Sequence, residues 1–231
     1  MKRFIVVVAL IAAVGLAVPV FAGDIVAMPT GNMQAAGTAE LNYIYWDAVT
    51  PGYTPPYLTS KELFLGGASH ANIYEAFVGV TDWLEIDGIH FDIPGGESYT
   101  EANVYLRLLK ETAEHPSIIL GATNITGADW VDGNDDVSPF VLGAYNIHVP
   151  EGCPSFNDPL VRLHMAWGDK FHDGLFGGVQ MLFTPRFGAA VFNYQGDPSY
   201  VGVYTVNKML ELRAGWKTGS PFYSAGLDFK F

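Results

Sequence analysis

The eight residues M-L-E-L-R-A-G-W, Met209–Trp216, show the pattern that decides the fold. Alternate residues of this stretch are apolar: Leu210, Leu212, Ala214 and Trp216. Glu211 and Arg213 lie between them and are charged. An extended chain places alternate side chains on opposite faces, whereas a helix would scatter these residues around its circumference. The stretch therefore predicts a β-strand with one apolar face and one charged face.

The same alternation recurs along the chain, for example in Leu41–Trp46 and Ala102–Leu108. Turn-forming Gly, Pro, Asn and Asp separate the segments. The pattern predicts twelve strands, over Thr38–Ala48, Ala71–Val80, Trp83–Ile93, Ala102–Glu111, Ser117–Ile125, Ser138–His148, Leu160–Gly168, Leu175–Phe183, Phe187–Tyr194, Tyr200–Val206, Met209–Lys217 and Phe222–Phe231. Ser117–Ile125 and Tyr200–Val206 alternate least regularly, so ten strands is the alternative.

The chain is apolar and acidic at once, with 49% hydrophobic residues, 16% charged residues and a formal net charge of -12. Soluble domains average about 25% charged residues. After residue 22 no apolar run reaches the roughly 18 residues that a membrane-spanning helix needs. An apolar surface must therefore be carried by strands.

The connections between the predicted strands alternate between long and short. Val49–His70 is long, for example, and the next connection is the dipeptide Thr81-Asp82. Outer-membrane barrels have short turns at one end and longer loops at the other, with an even number of strands. Val149–Pro159 breaks the rule, because it is long but belongs to the short set. We predict an all-β, transmembrane antiparallel up-and-down β-barrel over residues 38–231, in a bacterial outer membrane.

The first 22 residues have the layout of a secretory signal peptide. Lys2 and Arg3 precede the apolar run Phe4–Val20, and Val20-Phe21-Ala22 offers a small-x-small cleavage site. The alternative is an uncleaved anchor helix. Removal of two cations would take the net charge from -12 to -14. We predict a signal peptide over residues 1–22 and an N-terminal periplasmic segment over residues 23–37.

Tryptophans lie near the ends of predicted strands. Trp46, Trp167 and Trp216 are at outer ends, and Trp83 is at an inner end. Aromatic rings at strand ends form the interfacial girdles of transmembrane barrels. The alternative is that these rings fill a soluble core. We predict girdle positions for the four.

The last eight residues, Ser224–Phe231, read polar-x-Gly-x-x-aromatic-x-aromatic. This pattern resembles the C-terminal sorting signal of bacterial outer-membrane β-barrel proteins, with Gly226, Phe229 and Phe231 at its defining positions. The resemblance implies recognition by the barrel-assembly machinery and periplasmic chaperones. It also implies contact with outer-membrane lipids and lipopolysaccharide.

Two further stretches carry a resemblance that covers about a fifth of the chain. Tyr74–Phe91 resembles the strand–turn–strand of many small bacterial barrels. Asn103–Gly127 is similar to barrel segments of the outer-membrane proteins associated with exopolysaccharide biosynthesis. The second resemblance implies an accessory role in the export of surface polysaccharide, and it brings no catalytic motif.

Charged residues on the strands are expected to face the lumen, because a charge on the lipid face costs up to about 2–4 kcal/mol at the bilayer midplane. The predicted lumen-facing polar network consists of Glu40, Glu75, Arg107, Glu111, Arg162, His164, Glu211 and Arg213. Two arrangements are open: water fills a narrow channel around the charges, or the arginines pair with the glutamates and close the lumen. Barrels of about eight strands are filled by side chains and those of about 16–18 hold a channel, so twelve lies between.

Other chemistries find little support in the residues. The acidic balance argues against nucleic acid, which requires clustered Lys and Arg. The one cysteine, Cys153, leaves no intrachain disulfide and no multi-thiolate metal site. The loop Asp129–Asp136 is rich in oxygen ligands but lacks the spacing of a calcium-binding loop. We predict no metal site and no cofactor.

Some membrane barrels hydrolyse lipids with a serine and a histidine, so these residues bear on catalysis. Ser69 and His70 are adjacent, so an extended chain would point them to opposite faces. No serine can be placed opposite His164, and His172 is interpreted as a loop or interface residue. We therefore predict no enzyme, and a structural or narrow pore-type barrel. The alternatives are an accessory barrel in polysaccharide export and a membrane-embedded lipid hydrolase or acyltransferase.

Overall fold

The computed structural model describes residues 32–47, 70–95, 98–127, 137–194, 197–217 and 220–231. The predicted signal peptide, Ser69 and the acidic loop at 129–136 lie outside these ranges. In the described ranges, no helix has the length and apolar character needed to cross a membrane.

Twelve strands form one closed barrel, in which each strand pairs antiparallel with its neighbours in sequence and β1 pairs with β12. The strands are β1 Thr38–Asp47, β2 His70–Thr81, β3 Leu84–Asp92, β4 Tyr99–Leu109, β5 Ser117–Thr123, β6 Ser138–His148, β7 Leu160–Gly168, β8 Gly174–Thr184, β9 Phe187–Tyr194, β10 Asp197–Asn207, β11 Leu210–Lys217 and β12 Ser220–Lys230. The predicted up-and-down barrel of twelve strands is confirmed, and the alternative of ten is wrong. The two strands that alternate least regularly are present as β5 and β10.

The barrel closes where the two ends of the chain meet. The register of β1 and β12 runs from Thr38 opposite Lys230 to Trp46 opposite Phe222. The N–H of Phe231 donates to the carbonyl of Gly37 at 3.0 Å, which extends the pairing by one bond. Closure leaves no unpaired strand edge, and an unpaired edge cannot be tolerated in lipid. We call this end of the barrel the terminal rim and the opposite end the loop rim.

The outer surface of the barrel is apolar. Leu106 of β4, Leu120 of β5 and Val141 of β6 are neighbours in register and all point outward. The same holds around the circumference, where the exposed side chains include Leu41, Tyr74, Ile86, Met165, Val191, Leu212, Tyr223 and Leu227. A continuous apolar surface of this kind is unfavourable in water, whereas it is favourable in contact with the hydrocarbon of a bilayer.

One tryptophan departs from the predicted girdles. Trp167, Trp216 and Trp83 point outward and are 46–60% exposed, but Trp46 is only 6% exposed. The girdle prediction is wrong for Trp46. The alternation that turns Glu40 inward on β1 turns Trp46 inward as well, because the two positions are six residues apart.

The exceptional connection 149–159 is folded against the outside of the terminal rim. His148 contacts Asp158 at 2.6 Å, and Phe156 stacks on Phe183 of β8 with ring centroids 5.3 Å apart. Cys153 is exposed in this connection. These contacts explain how a long connection occurs among short turns: it packs on the barrel instead of extending from it.

The apolar outer surface predicts a strong effect of charge at Leu120, which lies at the middle of β5. We expect Leu120→Arg to destabilise the barrel by about 2–4 kcal/mol, because the guanidinium would face hydrocarbon. Leu120→Val is the matched control and should stay within about 1.5 kcal/mol of the parent. Urea unfolding in lipid vesicles measures both values. Equal stabilities for the two variants would contradict a lipid-facing Leu120.

Candidate functional site: the barrel lumen

The side chains inside the barrel differ between its two halves. Near the loop rim they are largely aromatic: Trp46, Phe91, Tyr99, Phe140, Phe176, Phe192 and Phe222. Toward the terminal rim most of the charged side chains are found, including Glu40, Glu85, Glu211 and Arg213. Both sets come from the inward parity of the same strands. The aromatic half and the polar half together form the candidate site.

Arg213 of β11 holds the main polar cluster together. Its Nη2 donates to Glu40 Oε1 at 2.7 Å and its Nε donates to Glu211 Oε1 at 2.6 Å. Next to this cluster, Asn42 Nδ2 donates to Glu75 Oε2 at 3.3 Å. All five side chains are buried. The structure thus brings four of the predicted lumen residues close to one another, with Asn42 beside them.

The ion pair between Arg213 and Glu40 spans the closing strand. β12 lies between β1 and β11, and its inward residues at this level are Ser224, Gly226 and Asp228, of which Asp228 is opposite Glu40. A Cβ on Gly226 would lie 2.4 Å from Asn42 Oδ1 and 3.3 Å from Glu40 Oε1. Glycine is therefore required there to leave room for the polar cluster. This packing role is separate from the sorting role predicted for Gly226, which stays a prediction together with that of Phe229 and Phe231.

The remaining predicted residues occupy other places. Glu111 contacts Arg162 Nη1 through Oε2, and accepts the N–H of Asn146 at 2.7 Å through Oε1. His164 Nε2 lies 3.2 Å from Gln180 Oε1. Arg107 is at the terminal rim. Its Nη1 donates to the carbonyl of Asp82 at 2.9 Å. Within the described ranges, the lumen arginines Arg213 and Arg162 are thus in two ion-pair clusters, one with Glu40 and Glu211 and one with Glu111.

Residues 32–37, which we call the strap, occupy the polar half of the lumen. Gln34 is the centre of its contacts. Its backbone N–H donates to a carboxylate oxygen of Glu85, and its side-chain Nε2 donates to Glu40 Oε2 at 2.8 Å. Asn32 Nδ2 donates to Gln180 Oε1 at 3.2 Å on the far side, in β8. Met33 and Gln34 are buried. The strap links β1, β3 and β8 across the lumen.

The strap enters β1 through a turn at the terminal rim. Gly37 has a φ of 71°, a conformation that favours glycine, and its N–H donates to Gly79 O at 2.9 Å. A Cβ on Gly79 would lie 2.0 Å from the carbonyl oxygen of Ala35. The strap was not predicted, because residues 23–37 were expected to lie in the periplasm. Gly37 and Gly79 are the residues that make room for the strap, but this role can be recognised only when the register of β1 and β2 is known.

At the loop rim, the 3-10 turn Lys170–His172, which we call the cap, packs against the inner side of strands β5 to β8. His172 points into the barrel, where it is 1% exposed. Its Nε2 lies 3.0 Å from Thr123 Oγ1, and its backbone N–H donates to Ser138 Oγ at 3.0 Å. Its ring stacks on Phe176 with centroids 5.5 Å apart. His172 is a loop residue as interpreted, but the sequence did not indicate that its side chain packs into the aromatic half.

Few catalytic arrangements can be built from these residues. In the described part of the chain, no group of three His, Cys, Asp or Glu side chains is placed to hold a metal ion. The side-chain hydrogen bond of His164 goes to an amide, and its ring packs on Phe192 at 5.6 Å. The lumen offers charge, hydrogen-bond acceptors and aromatic rings. These groups suit the passage or binding of a solute.

Neither a protein-family model nor a curated protein sequence matches the chain. Among solved structures, the chain is similar to that of the KdgM porin, with a TM-score of 0.51, 13% identity and coverage of 84% of this chain and 99% of that one. It is similar to the KdgM porin in complex with disordered oligogalacturonate, with a TM-score of 0.50, 12% identity and the same coverages of 84% and 99%. The likeness to the N-terminal β-barrel domain of Pseudomonas aeruginosa OprF has a TM-score of 0.27 at 9% identity, covering 85% of this chain and 100% of that one.

The chain shares the barrel fold of the KdgM porin structures. This fold and the apolar outer surface place the protein in the outer membrane. At identities of 12–13%, the likeness shows the fold alone and does not indicate which solute this chain binds.

The close approach of Asn42 and Glu40 to the backbone of Gly226 predicts that a larger residue at this position destabilises the barrel. We expect Gly226→Ala to destabilise the barrel by about 1–3 kcal/mol, because the added methyl group must displace Asn42 or Glu40. Gly202→Ala is the control, since a Cβ there would meet Ala214 O at an ordinary 3.8 Å. Unfolding in urea after refolding into detergent measures stability without the assembly machinery. A stable Gly226→Ala barrel would contradict the packing role.

The buried cap predicts a pH dependence. Burial, with a smaller contribution from the positive charge of Lys217, lowers the pKa of His172 from 6.5 to about 3. The stability that neutral His172 contributes is therefore complete above pH 6.5 and is lost as the pH falls from 6.5 toward 3. The loss is up to about 1.4 kcal/mol per pH unit. We expect the free energy of unfolding to fall less steeply between pH 6 and 5 in His172→Phe than in the parent. Identical slopes would show that His172 is not buried in its neutral form.

Proposed function

We propose that this protein is a non-catalytic, narrow pore-type barrel of the outer membrane. In the described part of the chain, the strap occupies part of the polar half and the cap packs into the aromatic half. Both segments lie outside the barrel strands, so either can move without breaking a pair between strands. The likeness to porin structures supports the general type of barrel.

The charge inside the barrel is the observation that carries this proposal. Among the described residues, six carboxylates in the lumen are at most 7% exposed, and Arg213 is the one equally buried cation. The carboxylates are those of Glu40, Glu75, Glu85, Asp87, Glu101 and Glu211. Removing a carboxylate from water costs several kcal/mol, and apolar side chains of similar volume often give an equal or more stable core. A permanently dry, purely structural barrel would gain nothing from this excess. A lumen that admits water and ions accounts for it.

The strap predicts a variant with a more open pore. Gln34→Glu keeps the size of the side chain but places a carboxylate beside Glu40, whose Oε2 now accepts the side-chain amide of Gln34 at 2.8 Å. Repulsion should expel the strap. We expect the fraction of time spent open to rise roughly tenfold or more, equivalent to about 1.4 kcal/mol.

Single-channel recording in planar bilayers measures this fraction. Gln34→Met is the matched control, because it removes the amide without adding charge, and it should open the pore less than Gln34→Glu. Brief openings of small conductance in the parent, with longer openings in Gln34→Glu, would support the proposed pore. A folded Gln34→Glu barrel that stays silent at every voltage would overturn it.

A further inference from the structure

We propose that the polar half of the lumen selects cations and binds small solutes that carry an ammonium group. This inference rests on the proposed pore and adds the chemical class of its solute. It does not rest on the number of acids alone, because the strap and an open acceptor on Asn42 also indicate what the site binds.

The first observation is the kind of partner that the carboxylates have. Glu85 accepts a backbone N–H from Gln34, Glu75 accepts the amide of Asn42, and Asp87 accepts the hydroxyl of Tyr105 at 3.1 Å. These donors are neutral. They satisfy hydrogen bonds without cancelling charge. Arg107 and Arg213 also interact electrostatically with Glu85 and Glu75. Among the described residues, however, six buried carboxylates face one equally buried arginine, so the lumen keeps a negative potential that attracts cations and repels anions.

The second observation is what occupies the lumen now. At the rim, Gln34 Oε1 accepts the hydroxyl of Thr38 at 3.0 Å. Deeper in the lumen the strap binds through donor groups, which are the N–H and amide of Gln34 and the amide of Asn32. Oxygen atoms of Gln180, Glu85 and Glu40 accept these three hydrogen bonds. A free solute that replaces the strap must therefore bring N–H donors to the same oxygens, and an ammonium group brings up to three donors and a charge of the favoured sign.

The third observation is an acceptor still open beside the strap. Asn42 is 4% exposed, and its Oδ1 has no hydrogen-bond partner among the described residues. It faces the backbone of Gly226 together with Glu40 Oε1. A buried polar atom without a partner is costly, so a donor that reaches it binds favourably. Asn42, Glu40 and Glu75 thus form an oxygen-lined site for one ammonium group.

This class of solute differs from the ligand in one of the similar porin structures. One KdgM structure is a complex with oligogalacturonate, which carries a carboxylate on each sugar unit. A polyanion would meet six buried carboxylates and one buried arginine among the described lumen residues of this chain. The likeness in fold therefore does not extend to the charge of the solute.

The test uses the full mature barrel in planar bilayers under a KCl gradient, with Gln34→Glu as the more open form. The reversal potential of both should report K⁺ as more permeant than Cl⁻, by roughly fivefold. Asp87→Asn should move the ratio toward one. Glu114→Gln, an exposed acid in the connection from β4 to β5, is the control and should leave the ratio unchanged.

A matched pair of solutes tests the site itself. n-Butylammonium added to one side should reduce the K⁺ current at millimolar concentrations, and butyrate, similar in size but opposite in charge, should not. Asn42→Leu should weaken the block by butylammonium several-fold without abolishing conductance. A current that prefers Cl⁻, or equal block by the two solutes, would overturn this inference and leave the pore intact. No current from either form would overturn the pore and the inference with it. The measurements on the parent do not depend on the folding of any variant.

Discussion

The ion pair between Arg213 and Glu40 is the interaction on which the rest of the structure depends. It joins β11 to β1 across β12, the strand that closes the barrel, at 2.7 Å. The pair requires small side chains on β12, which Ser224 and Gly226 supply. It also sets the position of Glu40, to which the strap is bound. Both the closure of the barrel and the binding of the strap to Glu40 therefore depend on the buried Arg213.

This arrangement joins stability to function. A buried ion pair is a poor source of stability compared with apolar packing, because desolvation of both charges offsets their attraction. The chain has apolar packing in its other half, where aromatic rings and the cap fill the lumen. The polar half is the part in which water and a solute would be accommodated. Charge near the terminal rim and aromatic packing near the loop rim thus have different roles in the same barrel.

Period-two alternation, combined with the alternation of long and short connections, predicted the fold. In β11 the alternation of Leu212 with Glu211 and Arg213 is strict, because one face meets lipid and the other meets the lumen, and such a boundary leaves a local signal. Trp46 was misplaced because an aromatic residue suits either the girdle or the lumen, and only its parity with Glu40 decides between them. Alternation predicts which strand residues face inward, but it does not predict the partners of those side chains. Pairing of Arg213 across β12, and entry of Gln34 into the lumen, depend on closure between segments far apart in sequence.

A double-mutant cycle between Glu40 and Arg213 tests the central role of this pair most directly. Glu40→Gln, Arg213→Met and the double variant would be refolded into lipid vesicles, and their free energies of unfolding compared with that of the parent. A clamp across the closing strand predicts a coupling energy of about 2–3 kcal/mol. It also predicts a double variant more stable than Glu40→Gln, which keeps a buried arginine with one carboxylate fewer. Additive losses, with a coupling near zero, would contradict this role and show that the pair does not hold the barrel closed.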